Sequence, residues 1–233
     1  MKIALFAPEL FLLLGSLVLF LVTLGEGKGR TARNVTTALS LGTVGLCLLF
    51  MGQTGELFYG AYKIDLYSQF FKLLIAVGLS TVVLFGRELK GIGNDIRAEY
   101  YLFLVLSALG LIMLVSSVEL LAILVSLELS SFSLYLLVPM RDDRTGLRLQ
   151  MESAVKYILF GVLATGIMLF GMSYIFGLTG TTYLAEILPK LQQMQTVPAV
   201  MVAIAMVMGG FFFKLAVFPF HFWVPDVYEG ASN

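Results

Sequence analysis

The chain has 233 residues, of which 59% are hydrophobic and 13% are charged, and its 15 basic and 15 acidic residues leave no formal net charge. Ordinary soluble domains carry about 25% charged residues, so the composition predicts an integral membrane protein. No clustered basic face of the kind that binds nucleic acid is evident, and a lone cysteine, Cys47, excludes an internal disulfide or thiolate metal cluster.

Apolar stretches predict about seven transmembrane helices, because about 17 to 25 such residues cross a hydrocarbon layer. The first is too long for a cleavable signal sequence, so we expect it to be retained. Ser116 and Glu119 have the spacing of a capping box before the fifth helix. The expected class is therefore an all-α membrane protein, with helices over residues 3–24, 35–51, 69–85, 100–115, 120–138, 154–176 and 199–222.

Two connecting segments have their own patterns. Residues 52–68 combine three glycines with four aromatic residues and predict a short extended or hairpin segment at the outer surface. Residues 183–193 predict a short surface helix that Pro189 ends or bends.

The basic residues of the loops are distributed unevenly between the two sides of the membrane. Because positively charged short loops are retained in the cytoplasm, we expect the N-terminus on the outer side, at the periplasm of a bacterial inner (plasma) membrane. Nine basic residues lie in the loops of the predicted cytoplasmic side: Lys28, Arg30, Arg33, Arg87, Lys90, Arg97, Arg141, Arg144 and Arg148. The opposite side has three, which are Lys2, Lys63 and Lys190.

Three ionisable side chains, Glu128, Lys156 and Lys214, stand inside apolar runs. A charge near the centre of a membrane helix costs roughly 2.5 to 3.5 kcal/mol, so such groups normally face protein or a water-filled cavity. Glu128 lies near the middle of helix five, either in a proton path or as a packing carboxylate kept protonated by burial. Lys156 follows Glu152 at the start of helix six. One interpretation is a lysine that pairs with Glu152 or extends its ammonium to the membrane interface, and the other is a member of a proton path.

The seventh apolar stretch carries helix-breaking residues. Gly209-Gly210 and Pro219 predict a broken helix with Lys214 between the two breaks, and broken helices place ion sites at membrane depth in transporters. His221, the only histidine, either exchanges protons or lies in an interfacial aromatic belt. A buried amine and a buried carboxyl group on different helices form a possible proton relay, because burial favours their neutral forms and pairing favours their charged forms.

Three segments carry a resemblance to a known family. They are residues 213–231 (FKLAVFPFHFWVPDVYEGA), 127–135 (LELSSFSLY) and 151–161 (MESAVKYILFG). The first resembles the signature of the antiporter-like membrane subunits of respiratory complex I, the proton-translocating NADH:quinone oxidoreductase (NDH-1). Together the three are similar to subunit N, which is called subunit 2 in mitochondria and plastids.

The resemblance implies a membrane-arm subunit that translocates protons and has no redox centre or metal site of its own. The family's proton-transfer residues fall on Glu128, Lys156, Lys214 and His221. Electrons would pass from NADH through FMN and iron–sulfur clusters to quinone in partner subunits, so this chain would meet quinone only through the complex. Its other partners would be further membrane-arm subunits and the lipid bilayer.

The family has about fourteen helices, built around two inverted five-helix repeats. The resemblance therefore divides the chain into residues 1–99, with helices one to three and the outer-surface loop 52–68, and residues 100–233, an incomplete first repeat with helices four to seven. The second repeat is missing, so we expect one proton half-channel and no enzyme activity alone. The chain would be a fragment, a truncated reading frame or a split gene product, or the remaining helices would come from a second polypeptide.

Two other functions are consistent with the same residues. A subunit of a cation/proton antiporter, or of a membrane-bound hydrogenase, would use the same buried acid and lysine. A truncated scaffold remnant would use the charges only to tie helices together.

Overall fold

The computed structural model describes residues 2–25, 29–86, 89, 91–140 and 147–231. A strand pair, β1 (Gly55–Leu57) and β2 (Tyr62–Ile64), lies between the second and third helices. The helices are α1 (Ala7–Thr23), α2 (Gly29–Leu49), α3 (Leu66–Phe85), α4 (Arg97–Leu114), α5 (Leu120–Leu137), α6 (Leu147–Thr179), α7 (Leu184–Gln193), α8 (Pro198–Lys214) and α9 (Trp223–Gly230).

The all-α membrane class predicted from the sequence is confirmed. Within the described ranges, six helical segments are long and apolar enough to cross a membrane. The first is Ala4–Thr23, which joins α1 to part of the short 3-10 helix before it, and the other five lie in α2 to α6, whereas α8 is a shorter apolar helix of 17 residues. The predicted ends were less accurate, since α2 begins at Gly29 and α6 at Leu147. The first turns of both helices contain charged or polar residues, such as Arg30 of α2 and Gln150 of α6, and these interrupt the apolar runs on which the prediction rests.

The segments that join the long helices include a hairpin, the cap of α5 and the short helix α7. The predicted hairpin is present, and Lys63 N donates to Ser116 O at 2.8 Å, which ties β2 to the α4–α5 turn. The predicted Ser116 cap is wrong. Glu119 caps α5 instead, because its carboxylate accepts from Ala122 N at 2.7 Å, and Ser116 lies too far before the first turn. Helix α7 continues through Pro189 rather than ending there.

Close helix contacts occur at glycines. On α4, a Cβ at Gly110 would lie 2.6 Å from Ser130 N of α5, so only glycine allows this approach. On α8, a Cβ at Gly210 would lie 2.5 Å from Met168 Cβ of α6. Small residues at such positions let membrane helices pack backbone to backbone.

The seventh span is broken, as predicted, but the position of the break differs from the prediction. Helix α8 runs without interruption through Gly209 and Gly210 and ends at Lys214. Lys214 is therefore the last residue before the break and does not lie between two breaks. The glycines stay helical because Gly210 packs against α6, and this packing outweighs their low helix propensity. After the break, Ala216 has a positive φ of 52° and the Phe218–Pro219 peptide bond is cis.

Several of the basic residues on which the predicted orientation rests lie outside the part of the chain that the structure describes. Lys28, Arg87, Lys90, Arg141 and Arg144 lie outside the described residues, as do the side chains of Lys2 and Arg148. The orientation therefore stays a prediction.

We expect Gly110→Val to destabilise the α4–α5 hairpin by about 1–3 kcal/mol, the usual cost of overpacking. Gly45→Val is the matched control, because nothing lies within 4 Å of a Cβ at Gly45. Thermal unfolding of each purified variant in detergent measures its stability. Equal stability of the two variants would contradict the close α4–α5 contact.

Candidate functional site

The centre of the site is an ion pair between α8 and α5. Lys214 Nζ donates to Glu128 Oε1 at 3.0 Å, and the two side chains are 13% and 16% exposed. The structure therefore brings together two of the residues predicted from the sequence, although they are 86 positions apart.

The polar groups around the pair satisfy it almost completely. Lys214 Nζ also donates to Ser131 Oγ at 2.8 Å and to Tyr135 OH at 3.2 Å. An ammonium has three donors, so each donor has an acceptor. Thr165 Oγ1 of α6 donates to Glu128 Oε1 at 2.9 Å, and the carboxylate is thus held from two helices.

All three acceptors of Lys214 come from one face of α5. Glu128, Ser131 and Tyr135 are spaced by three and four positions, which places them on the same side of a helix. Ser131, Tyr135 and Thr165 were not among the site residues predicted from the sequence, although Ser131 is one of the small residues near Glu128 that can offer interhelical hydrogen bonds. The spacing from Glu128 was the available signal for the first two, whereas Thr165 gave none.

The end of α8 fixes the position of the lysine. A cation is favoured in the last turn of a helix, where free carbonyl groups carry partial negative charge. Trp223 Nε1 donates to a carbonyl of this last turn, Phe213 O, at 3.1 Å, and Ala216 N donates to the same oxygen at 3.1 Å. The indole therefore ties the segment after the break back to the last turn of α8.

An aromatic cluster packs against the Tyr135 ring. Tyr135 is 2% exposed and meets the Tyr157 ring edge-on, with centroids 4.6 Å apart. Tyr157 in turn stacks on Trp223 at 4.7 Å. A Cβ at Gly161 would collide with the Tyr135 hydroxyl, so this glycine makes room for the ring.

Lys156 belongs to a separate ion cluster. Its Nζ lies 2.8 Å from Glu152 Oε1 and 2.8 Å from Asp226 Oδ2, and its side chain is 40% exposed. The pairing with Glu152 is one of the two arrangements considered from the sequence, and Asp226 was not anticipated. Its participation in a proton path stays a prediction.

His221 is exposed in the segment after the break, with its ring 5.6 Å from that of Phe218. Within the described part of the chain, the hydrogen bonds of Lys214 and Glu128 do not include His221 or Lys156. The structure thus separates the four predicted site residues into a buried pair and two outlying groups. In the same ranges no group of three or more His, Cys, Asp or Glu side chains could hold a metal ion.

Sequence reasoning missed two further charged residues inside apolar helices. Glu9 of α1 and Lys72 of α3 are completely buried, and Lys72 Nζ lies 2.6 Å from Glu9 Oε1. The view that Glu128, Lys156 and Lys214 are the ionisable residues of the apolar runs was therefore incomplete. Both residues were visible in the sequence as isolated charges in the predicted first and third helices.

Comparison with known sequences identifies similar membrane subunits. The family described as "NADH:quinone oxidoreductase/Mrp antiporter, TM" matches residues 117–233. NADH-quinone oxidoreductase subunit N 2 of Opitutus terrae is 48% identical over 228 residues, which cover 98% of this chain and 48% of the relative. The subunit N 2 of Syntrophobacter fumaroxidans is 42% identical over 233 residues, with the same two coverages. The chain thus spans about half the length of the curated relatives it matches.

Solved structures give the same result at the level of the fold. A chain of respiratory complex I from Thermus thermophilus with bound aureothin superimposes with a TM-score of 0.79 at 30% identity, covering 96% of this chain and 47% of that one. A chain of the Mrp complex from Dietzia sp. gives a TM-score of 0.80 at 20% identity, covering 100% of this chain and 45% of that one. The second match shows the fold alone. From the family match, the subunit N relatives and the shared fold, we conclude that this chain belongs to the NADH:quinone oxidoreductase/Mrp antiporter transmembrane family.

Proposed function

We propose that this chain supplies a proton half-channel to a membrane-arm subunit of proton-translocating NADH:quinone oxidoreductase. The observation that carries the proposal is the enclosed Lys214–Glu128 pair, in which each lysine donor has an acceptor. The similarity of nearly the whole chain to subunit N supports it. Residues 1–99 would form the N-terminal helices, and residues 100–233 the first antiporter-like repeat.

The mechanism follows from the two environments that the pair can occupy. When Lys214 touches Glu128, the charged forms stabilise each other and the ammonium keeps its proton. When the two groups move apart in the same apolar surroundings, the ammonium loses its charge partner and releases a proton to water. The break after Lys214 is where the backbone can allow this movement, because α8 ends there.

The outlying residues would connect the pair to the aqueous phase. Lys156 and Thr165 are both on α6, nine positions apart, which is about 13 Å along a helix. Lys156 therefore cannot pass a proton directly to the pair, and water must lie between them. His221 would exchange protons at the exposed segment after the break, and Asp226 would hold Lys156 in position.

The similarity to subunit N supports the remaining parts of the proposal. FMN and iron–sulfur clusters would reside in partner subunits, and this chain would meet other membrane-arm subunits and lipid in the inner membrane. It would act as a non-redox part of a translocase and not as an enzyme alone. A subunit of a cation/proton antiporter would use the same pair, and the fold shared with the Mrp complex keeps this second candidate open. Sodium-dependent transport in vesicles would favour it.

Removal of either charge of the pair tests the proposal. We expect Lys214→Met or Glu128→Gln, introduced into the whole complex, to lower proton movement per NADH oxidised by about 100-fold or more, as for loss of a positioned acid or base. Proton uptake by vesicles and NADH oxidation are measured together. Lys63→Met, which removes an exposed lysine, is the control. Normal proton uptake by a pair variant in an assembled complex would contradict the mechanism.

The position of Tyr135 gives a second test. We expect Gly161→Ala to displace the Tyr135 hydroxyl, to remove one acceptor of Lys214 and so to reduce proton movement several-fold. Gly166→Ala on the same helix is the control, because nothing lies within 4 Å of a Cβ there. The same vesicle measurement applies. If both variants pumped equally well, the Tyr135 contact would have no role.

Cysteine labelling tests the proposed orientation. Lys63→Cys should react with a membrane-impermeant thiol reagent added to intact bacterial cells with a permeabilised outer membrane, because both Lys63 and the N-terminus are assigned to the outer side. Arg30→Cys should react only after the inner membrane is opened. Both positions are exposed, whereas the native Cys47 is buried. The reverse pattern would place the N-terminus in the cytoplasm.

A further inference from the structure

A cavity of about 170 Å³ lies between the first turns of α2 and α4, and we term it the arginine cavity. Its lining residues are Gly29, Arg30, Arg33, Leu89, Arg97 and Tyr101. Both helices begin at this end of the bundle, because their apolar spans run over Gly29–Leu49 and Arg97–Leu114. The cavity therefore lies near the edge of the hydrocarbon layer, where lipid headgroups meet the protein.

Helical spacing brings the polar side chains of α2 and α4 to the cavity. Arg30 and Arg33 are three positions apart on α2. Arg97 and Tyr101 are four positions apart on α4, so the two residues of each helix lie on one face. Gly29 brings the two helices into close contact, since a Cβ at Gly29 would lie 3.3 Å from Arg97 Cβ.

Two of the three arginines have no acidic partner among the described residues. An arginine side chain is always protonated in a protein, and no carboxylate is among the residues that line the cavity. The ion pairs in the described part of the chain do not include Arg30 or Arg33. Arg30 is exposed and Arg33 is half-buried, so a ligand at the membrane surface can reach both guanidinium groups.

Tyr101 gives independent evidence for a ligand. The tyrosine lines the cavity and is 2% exposed, yet the hydrogen bonds of the described residues do not include its hydroxyl. Buried polar groups are almost always paired with protein or ordered water, so the hydroxyl indicates a further group in the cavity. The neighbouring guanidinium groups can only donate hydrogen bonds. The missing group is therefore a hydrogen-bond acceptor, and the charge of the arginines favours an anion.

A phosphate group matches the cavity in size, charge and position. The volume of about 170 Å³ equals that of roughly five or six water molecules in the liquid, which leaves room for a phosphate group. Guanidinium groups bind phosphate through two parallel hydrogen bonds. Basic pockets between membrane helices bind the headgroups of anionic lipids. The position at the end of two membrane spans favours a lipid phosphate over a free phosphate ion, because the acyl chains remain in the adjoining bilayer.

We propose that the arginine cavity binds the phosphate of an anionic phospholipid such as phosphatidylglycerol. Arg30 and Arg33 hold the phosphate oxygens from α2, and the Tyr101 hydroxyl donates a hydrogen bond from α4. The first amides of α2 add partial positive charge, since they have no acceptor within the helix. The bound lipid thus ties the first turns of α2 and α4 together.

Photo-cross-linking of the whole complex tests this site. The complex is placed in phosphatidylcholine nanodiscs with a trace of phosphatidylglycerol that carries a photoreactive headgroup, and cross-linked peptides are mapped by mass spectrometry. We expect cross-links within residues 29–33 or 97–101. Arg30→Gln/Arg33→Gln should lower their yield by about 10-fold or more, as for the loss of charge-assisted hydrogen bonds. Lys63→Gln, which removes an exposed lysine on β2, should leave the yield unchanged.

Two further variants distinguish a specific site from a general attraction of lipid to basic residues. Arg30→Lys/Arg33→Lys keeps the charge but removes the paired hydrogen bonds, and Tyr101→Phe removes only the hydroxyl. We expect several-fold fewer cross-links in each variant. Wild-type yields in either variant would overturn the proposal. Because Tyr101→Phe removes a single oxygen atom, the test does not depend on the assembly of the double variants.

Competition identifies the source of the phosphate. Unlabelled phosphatidylglycerol should abolish the cross-links, whereas inorganic phosphate should leave them unchanged. Displacement by inorganic phosphate would show a soluble ligand and would overturn the assignment to a lipid. A wild-type complex without cross-links in these segments would show that another group, such as an acidic side chain of a neighbouring subunit, fills the cavity, and it would overturn the proposal as well.

Discussion

A lysine ammonium placed among apolar helices must find enough acceptors, and this requirement shapes the centre of the molecule. Lys214 meets it with Glu128, Ser131 and Tyr135, all from one face of α5. The arrangement works only because α8 ends at this residue, so that the ammonium lies at the negative end of a helix dipole. The break in the seventh span is thus part of the charge-pairing scheme and not simply a point of flexibility.

The distances within the site depend on glycines that lie outside it. Gly210 lets α8 approach α6, and Gly161 leaves space on α6 for the Tyr135 hydroxyl. Thr165 of α6 reaches Glu128 in the same interface. A methyl group at Gly210 would displace α8 from α6, and a methyl group at Gly161 would displace the Tyr135 ring. The same packing that stabilises the fold therefore sets the geometry of the ion pair.

The two buried ion pairs differ in how their polar atoms are satisfied. The Lys214–Glu128 pair is slightly exposed, and the protein supplies an acceptor for each donor of its ammonium. The Glu9–Lys72 pair is completely enclosed, yet it leaves Glu9 Oε2 and the Gln69 amide unpaired. The protein therefore supplies a nearly complete set of partners for the first pair and an incomplete set for the second.

The membrane class, the apolar helices and the presence of Glu128 and Lys214 on different helices could be predicted from the sequence, because hydropathy and helix length are local properties of the chain. The broken seventh span was also predicted, but with a break at Gly209-Gly210, where contact with Met168 keeps α8 helical. Three contacts are evident only in the folded chain: Lys156 with Asp226, Thr165 with Glu128, and Glu9 with Lys72. These partners are far apart along the chain, and no local pattern encodes which distant side chain will fill the space beside a buried charge.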